Sequence, residues 1–273
     1  MNTGTQVPRM LSGKHLVITR PADAAAEFAE QLAATGARVT ALPAIAVVPL
    51  EDTTALDAAL DELASYDWIV LTSANGVRAV AERLAVTGHS WAERGRARIA
   101  VIGPATARAL AGHGVSSAAM PEQYVAEAIV ETLGNVAGQR ILLLRADIAR
   151  QALADELRVR GADVDEIAAY RTVIQPVPEE KLRAVFDVGS VDAITFTSSS
   201  TVHGLMRGLM AMGRDPAATL RGIALAAIGP ITASTLREYG LEPAVVAEEY
   251  TTQGIVRALE AYFASGGVAG QGV

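Results

Sequence analysis

The sequence predicts an α/β protein of two parallel-sheet lobes related by internal duplication, and three observations carry that prediction. Ala226 to Gly240 (A-A-I-G-P-I-T-A-S-T-L-R-E-Y-G) nearly repeats Ala100 to Gly114 (A-V-I-G-P-A-T-A-R-A-L-A-G-H-G), with eight of the fifteen positions identical. The match extends outwards in order: Asp67 to Ser73 answers to Asp192 to Ser198, Arg20 to Arg145, Gly36 to Gly161, Gly88 to Gly213, and Glu122 and Tyr124 to Glu248 and Tyr250. Continuous apolar runs alternate with segments of helical period, the pattern of βαβ crossovers. A repeat this long is no solenoid, whose units run about 20 to 50 residues.

The elements follow in order. His15 to Arg20 reads as a buried parallel strand ended by Pro21 and Asp23, and Ala24 to Thr35 as a helix that Gly36 terminates. Arg38 to Ala46 is extended, but Pro43 and Pro49 make it an edge or a connector. Leu56 to Ala64 is an amphipathic helix and Trp68 to Leu71 a strand; Ser73 caps the next helix. Ile99 to Ile102 is a strand closed by Gly103, and Pro104 suits the first position of a short helix to Gly112. Ser116 to Met120 is a weak strand candidate and Val125 to Leu133 a helix. The second copy starts at Gly138 to Arg145, continues through a helix over Arg150 to Arg160, and extends over Asp163 to Ile174, ended by Pro176 and Pro178. Asp192 to Thr197 is a strand, Ser198 to Thr201 a hydroxyl-rich cap before the helix Val202 to Met212, and Ile223 to Ile228 a strand closed by Gly229. Residues 265–273 are expected to be a disordered tail.

Composition removes several function classes. The 273 residues suffice for two domains, each burying roughly 70% of its unfolded surface. A net charge of −7 argues against nucleic acid and anionic membranes. With no Cys there is no disulfide or thiolate chemistry, and His15, His89, His113 and His203 lack metal-ligand spacing, so no metal is expected. Neither a signal peptide nor a membrane span is legible, which makes a soluble, cytoplasmic protein the expectation.

No dinucleotide fingerprint, P-loop or nucleophile elbow is present, so no cofactor is expected. What remains are hydroxyl-bearing helix N-termini in two pairs, Thr72/Ser73 with Thr106 and Thr197/Ser198 with Thr232. Backbone N–H groups and the helix dipole make such termini anion sites, and parallel sheets put them at the carboxyl ends of strands where ligands bind. Two such edges facing each other would make one donor-lined cleft. The cations near that edge are Arg20, Arg145 and Arg150; pairing with Asp23 and Asp147 would also explain the first two. Tyr170 sits alone in a connector, where an aromatic ring usually packs.

With T-R-P at Thr19 to Pro21, L-T-S at Leu71 to Ser73, F-T-S at Phe196 to Ser198, I-G-P-x-T-A twice, L-R-x-x-x-x-R at Leu144 to Arg150 and A-A-Y-R-T-V around Tyr170, the chain resembles the uroporphyrinogen-III synthases from Leu16 to about Phe263. The resemblance implies two flavodoxin-like lobes, residues 1–42 with 174–273 and residues 47–168, joined by a hinged two-stranded connector near 41–49 and 166–175. It also implies the reaction: hydroxymethylbilane, a linear tetrapyrrole with eight carboxylates, loses water and closes to uroporphyrinogen III with its last pyrrole inverted, without a cofactor; a monomer is expected. Tyr170 is then the proton donor, and the resemblance also points to Thr106 and Thr232; with the helix-start and cationic residues Thr72, Ser73, Thr197, Ser198, Arg20, Arg145 and Arg150 they are expected to hold substrate. Two other readings stay open at this point, a non-catalytic carboxylate binder and a sugar-phosphate isomerase using Thr197 to Thr201.

Overall fold

The computed structural model describes residues 10–122, 126–149, 151–175, 177–187 and 190–267. Its strands are β1 (His15–Ile18), β2 (Arg38–Ala41), β3 (Ile45–Val48), β4 (Trp68–Leu71), β5 (Arg98–Val101), β6 (Arg140–Ala146), β7 (Asp163–Ile174), β8 (Ala193–Phe196), β9 (Ala224–Ala227) and β10 (Val245–Val246). Its helices are α1 (Ala22–Ala34), α2 (Thr54–Asp61), α3 (Ala74–Thr87), α4 (Pro104–Ala111), α5 (Ala126–Leu133), α6 (Ala152–Val159), α7 (Glu179–Phe186), α8 (Ser199–Ala211), α9 (Pro216–Thr219), α10 (Pro230–Glu238) and α11 (Thr252–Ala264), with 3₁₀ turns at Leu63–Ser65 and Trp91–Arg94.

The strands form two five-stranded sheets, in the orders β10-β9-β8-β1-β2 and β3-β7-β6-β4-β5. The pairs β1–β2, β1–β8, β8–β9 and β9–β10 are parallel in the first, and β4–β5, β4–β6 and β6–β7 in the second. The chain divides into two compact units, Met1–Ala46 with Val173–Val273, and Val47–Thr172.

The apolar runs become the inner strands of each sheet because both faces of those strands are buried. Along β4, Ile69 and Leu71 join the core of α2 and α3, whereas Trp68 and Val70 join the core of α5 and α6. In β1, Val17 faces the α8 side while Leu16 and Ile18 face α1 and α11. Covering both faces demands apolar residues at every position, so no alternation is seen. Each fully buried Leu, Ile or Val there contributes about 1.5–3 kcal/mol.

Two aspartates that the repeat aligns begin these sheets. Asp67 donates its N–H to the Arg140 carbonyl (2.9 Å) and accepts the Arg140 N–H on its carboxylate (2.9 Å). Asp192 does the same with His15, at 2.8 Å in both directions, and also accepts from Lys14 Nζ at 3.0 Å. Each carboxylate thus fixes the register of the neighbouring strand before its ladder begins.

Some elements differ from expectation. Residues 116–120 form no strand, only an isolated parallel bridge between Ala119 and Ala100. The helices α7, α9 and α11 and the short edge strand β10 lie outside the sequence reading above. Ser265 and Gly266 close α11 through N–H groups donated to Ala261 and Phe263, so these residues of the expected tail are ordered by the helix end; residues 268–273 lie outside the described residues, as do Pro176 and Tyr124. No helix among the described residues is long and apolar enough to cross a membrane.

Candidate functional site

In each sheet the chain leaves one central strand towards one side and its neighbour towards the other. The reversal falls between β6 and β4 in the second sheet and between β1 and β8 in the first, and in open α/β sheets ligands bind beyond the carboxyl ends of strands at such a point. Arg145 is the penultimate residue of β6 and Thr72–Ser73 follow β4. In the other unit, Arg20 follows β1 and Thr197–Ser198 follow β8.

Ser73 is the N-cap of α3, with extended backbone (φ −155°, ψ 156°), and its Oγ accepts the Gly76 N–H at 3.0 Å. The same Oγ lies 2.9 Å from the Tyr170 hydroxyl, across a separation of 97 residues. Ser198 caps α8 in the matching way, its Oγ accepting the Thr201 N–H at 3.3 Å. Gly103 and Gly229 are the caps of α4 and α10, each followed by proline at the first helical position. Thr106 and Thr232, in those first turns, are both buried. Thr72 and Thr197 are half-buried.

Tyr170 lies on β7 with its ring in the core of its own unit, only 6% exposed, so the packing role and the contact with Ser73 coexist. A register shift between β6 and β7 places it: Arg145 faces Ala168 but Ala146 faces Tyr170, leaving Ala169 as the extra residue. Such bulges re-aim a side chain. Asp147 then holds the strand, donating its N–H to the Tyr170 carbonyl at 3.1 Å and accepting the Thr172 N–H at 2.9 Å. Burial pushes the Tyr170 phenol up from its ordinary range; the Ser73 hydrogen bond opposes this, Asp147 adds to it, and Arg78 and Arg145 oppose it.

The cations fare differently from one another. Arg145 is buried and pairs with Glu166 on the adjacent strand at 3.0 Å. The guanidinium of Arg20 sits 5.9 Å from the ring centroid of Phe28. Arg150 lies outside the described residues. Arg78, exposed on the first two turns of α3 and bonded to Asn75, is a cation near this edge that the sequence reading passed over. A signal for it exists, because a cation close to a helix N-terminus opposes the dipole and needs a reason to be there.

The family described as uroporphyrinogen-III synthase HemD matches residues 26–257. A uroporphyrinogen-III synthase of Synechococcus elongatus is 38% identical over 255 residues, spanning 92% of this chain and 96% of that protein. A putative uroporphyrinogen-III synthase of Methanothermobacter thermautotrophicus is 32% identical, spanning 89% and 96%. Among solved structures, a mutant uroporphyrinogen III synthase of Thermus thermophilus superposes with a TM-score of 0.63 at 21% identity, covering 93% of this chain and all of that one. The Helicobacter pylori enzyme gives 0.57 at 17% identity, covering 91% and 99%. These two likenesses speak for the fold, and the sequence matches for the family. Neither the carboxylate-binder nor the isomerase reading finds support among them. The chain belongs to the uroporphyrinogen-III synthase family.

Proposed function

We propose that this chain catalyses the family's reaction, the cofactor-free closure of hydroxymethylbilane to uroporphyrinogen III. The observation that carries the reading to residues is the Tyr170 phenol, held against the N-cap hydroxyl of α3 at the carboxyl edge of a parallel sheet. Tyr170 protonates the departing hydroxyl, which leaves as water. The proton released when the closed ring regains its pyrrole returns to the phenolate, so the cycle balances.

Thr72, Ser73, Thr106, Thr197, Ser198 and Thr232, with the N–H groups of their helix starts, serve the substrate's carboxylates, and Arg20, Arg145 and Arg150 add charge. An acidic chain can hold a polyanion this way because helix termini supply the local positive potential. Positioning supplies the larger share of the rate.

In this reading the two units are duplicated flavodoxin-like lobes joined through β3 and β7, working as a cytoplasmic monomer. Supporting the duplication are the paired serine caps, the paired Gly-Pro helix starts, the paired aspartate clamps and the left-handed glycines at equivalent positions, Gly36 with Gly161 (φ 91° and 84°) and Gly88 with Gly213 (φ 79° and 71°). The copies are not equal, since Tyr170 has only Ile45 as its counterpart.

The test is direct. Purified protein is supplied with hydroxymethylbilane and the oxidised porphyrins are separated by isomer. Tyr170→Phe is expected to fold and bind product, yet turn over about 10²- to 10⁴-fold more slowly, the usual share of general acid catalysis. Spontaneous closure without inversion then wins and isomer I accumulates. Full rate and pure isomer III from Tyr170→Phe would remove Tyr170 as the acid, and no isomer III from the parent protein would remove the function.

A further inference from the structure

We infer that Ser73 is a positioning residue whose hydroxyl turns to donate to the Tyr170 oxygen as the phenol gives up its proton, so that the start of α3 acts on the acid through Ser73. The inference deepens the proposed role of Tyr170 and reassigns Ser73 from holding a carboxylate. Its basis is a hydrogen-bond chain: Gly76 N–H to Ser73 Oγ at 3.0 Å, and Ser73 Oγ to Tyr170 Oη at 2.9 Å.

A serine hydroxyl has one proton and two acceptor sites. The Gly76 N–H occupies one acceptor site, so towards Tyr170 the hydroxyl either accepts or donates. In the resting pair either oxygen can donate, and the phenol is the stronger donor of the two. Once the phenol proton is directed at a leaving hydroxyl, the pair survives only if Ser73 donates back. As the Tyr170 O–H bond breaks, that bond's electron pair stays on the phenol oxygen, the new O–H forms on the departing oxygen, and the C–O electrons leave with water. The phenolate charge then meets the Ser73 O–H, itself polarised by an N–H at the positive end of a 14-residue helix. The nearby charges are Asp147, which works against the phenolate, and Arg78 and Arg145, which favour it.

The duplication supplies an internal control. Ser198 caps α8 in the same geometry, but no phenol stands at the position equivalent to Tyr170. Removing either serine costs a helix cap; only Ser73 also loses a phenol partner.

The experiment places difluorotyrosine at position 170, which brings the phenol's titration into a range where the fold survives, and follows it by ¹⁹F NMR. Ser73→Ala is expected to raise the pKa at position 170 by about one unit or more, the scale of a lost hydrogen bond to a charged group, while Ser73→Thr and Ser198→Ala leave it in place. With tyrosine at 170, Ser73→Ala is expected to lower kcat by roughly 10- to 100-fold with KM nearly unchanged, and Ser73→Thr to restore it. An unmoved titration in Ser73→Ala overturns the inference, and so does a moved titration with kcat intact. A rise in KM alone would return Ser73 to substrate binding. The titration needs no substrate, so it reads the Ser73–Tyr170 coupling even if the protein proves inactive on hydroxymethylbilane.

Discussion

Two glycines one turn apart on α8 should respond to the same substitution with opposite sign. A Cβ built on Gly204 falls 2.2 Å from the Ala44 carbonyl oxygen and 2.9 Å from the Ala44 carbonyl carbon and Cβ, where ordinary contact begins at 3.4 Å. The obstacle is backbone, and it is anchored: the Ala44 N–H donates to the Thr19 carbonyl, and the Ala44 carbonyl accepts the Gln175 N–H, both at 3.2 Å. Gly204→Ala therefore forces α8 and the segment after β2 apart. Overpacking costs about 1–3 kcal/mol, and a weakened hydrogen bond about 1 kcal/mol more. Replacing a mid-helix glycine by alanine returns about 1 kcal/mol, which leaves a net loss of about 1–3 kcal/mol. At Gly208 the added methyl would meet only Leu182 Cδ1, at 3.5 Å, so Gly208→Ala should keep the helical gain of up to about 1 kcal/mol. Urea unfolding followed by circular dichroism measures both, and thermal melts should differ by roughly 2–4 °C per kcal/mol. A Gly204→Ala protein as stable as the parent would show that the connector yields freely, and the reasoning would fail.

Three further outcomes are expected. Asp67→Ala and Asp192→Ala should each destabilise by about 1.5–3 kcal/mol, because each deletes a charged acceptor for a strand-starting N–H; equal urea midpoints for mutant and parent would rule out the clamp. Glu93 first, and Asp61 after it, hold the His89 imidazole above its ordinary range, so this stabilisation is complete below the unfolded value near 6.5 and is lost as pH rises through the folded value. The stability gap between parent and His89→Gln should accordingly shrink on going from pH 6 to alkaline pH, and a gap that widens would contradict the sign. Arg20→Ala should weaken uroporphyrinogen III binding by about 1–3 kcal/mol with circular dichroism unchanged, since helix termini share the load; abolished binding on titration calorimetry would put the load on the arginine.

Much of the architecture was legible because its signals are local. Apolar runs closed by a capping Thr-Ser or by Gly-Pro locate β4, β5, β8 and β9 within a residue, and the serine and Gly-Pro helix starts appear as read. The same kind of signal marks α11, where Thr251 caps the helix through the Gly254 N–H and Ile255, Val256 and Leu259 form its buried stripe. Where local signals are thin, as at residues 116–120, one bridge forms in place of a strand.

By itself the sequence determined the repeat, the two sets of capped helices, the α/β class and the family, since each rests on residues close along the chain or on their order. Only the tertiary structure decided that Arg145 is turned to Glu166, that Gly204 must stay bare against Ala44, and that Ser73 meets Tyr170. The last depends on a one-residue slip between β6 and β7, and no local pattern encodes a slip: register follows from how two strands and their covering helices pack. A hydroxyl and a phenol 97 residues apart become partners through that packing, which is why spacing along the chain left the role of Ser73 open.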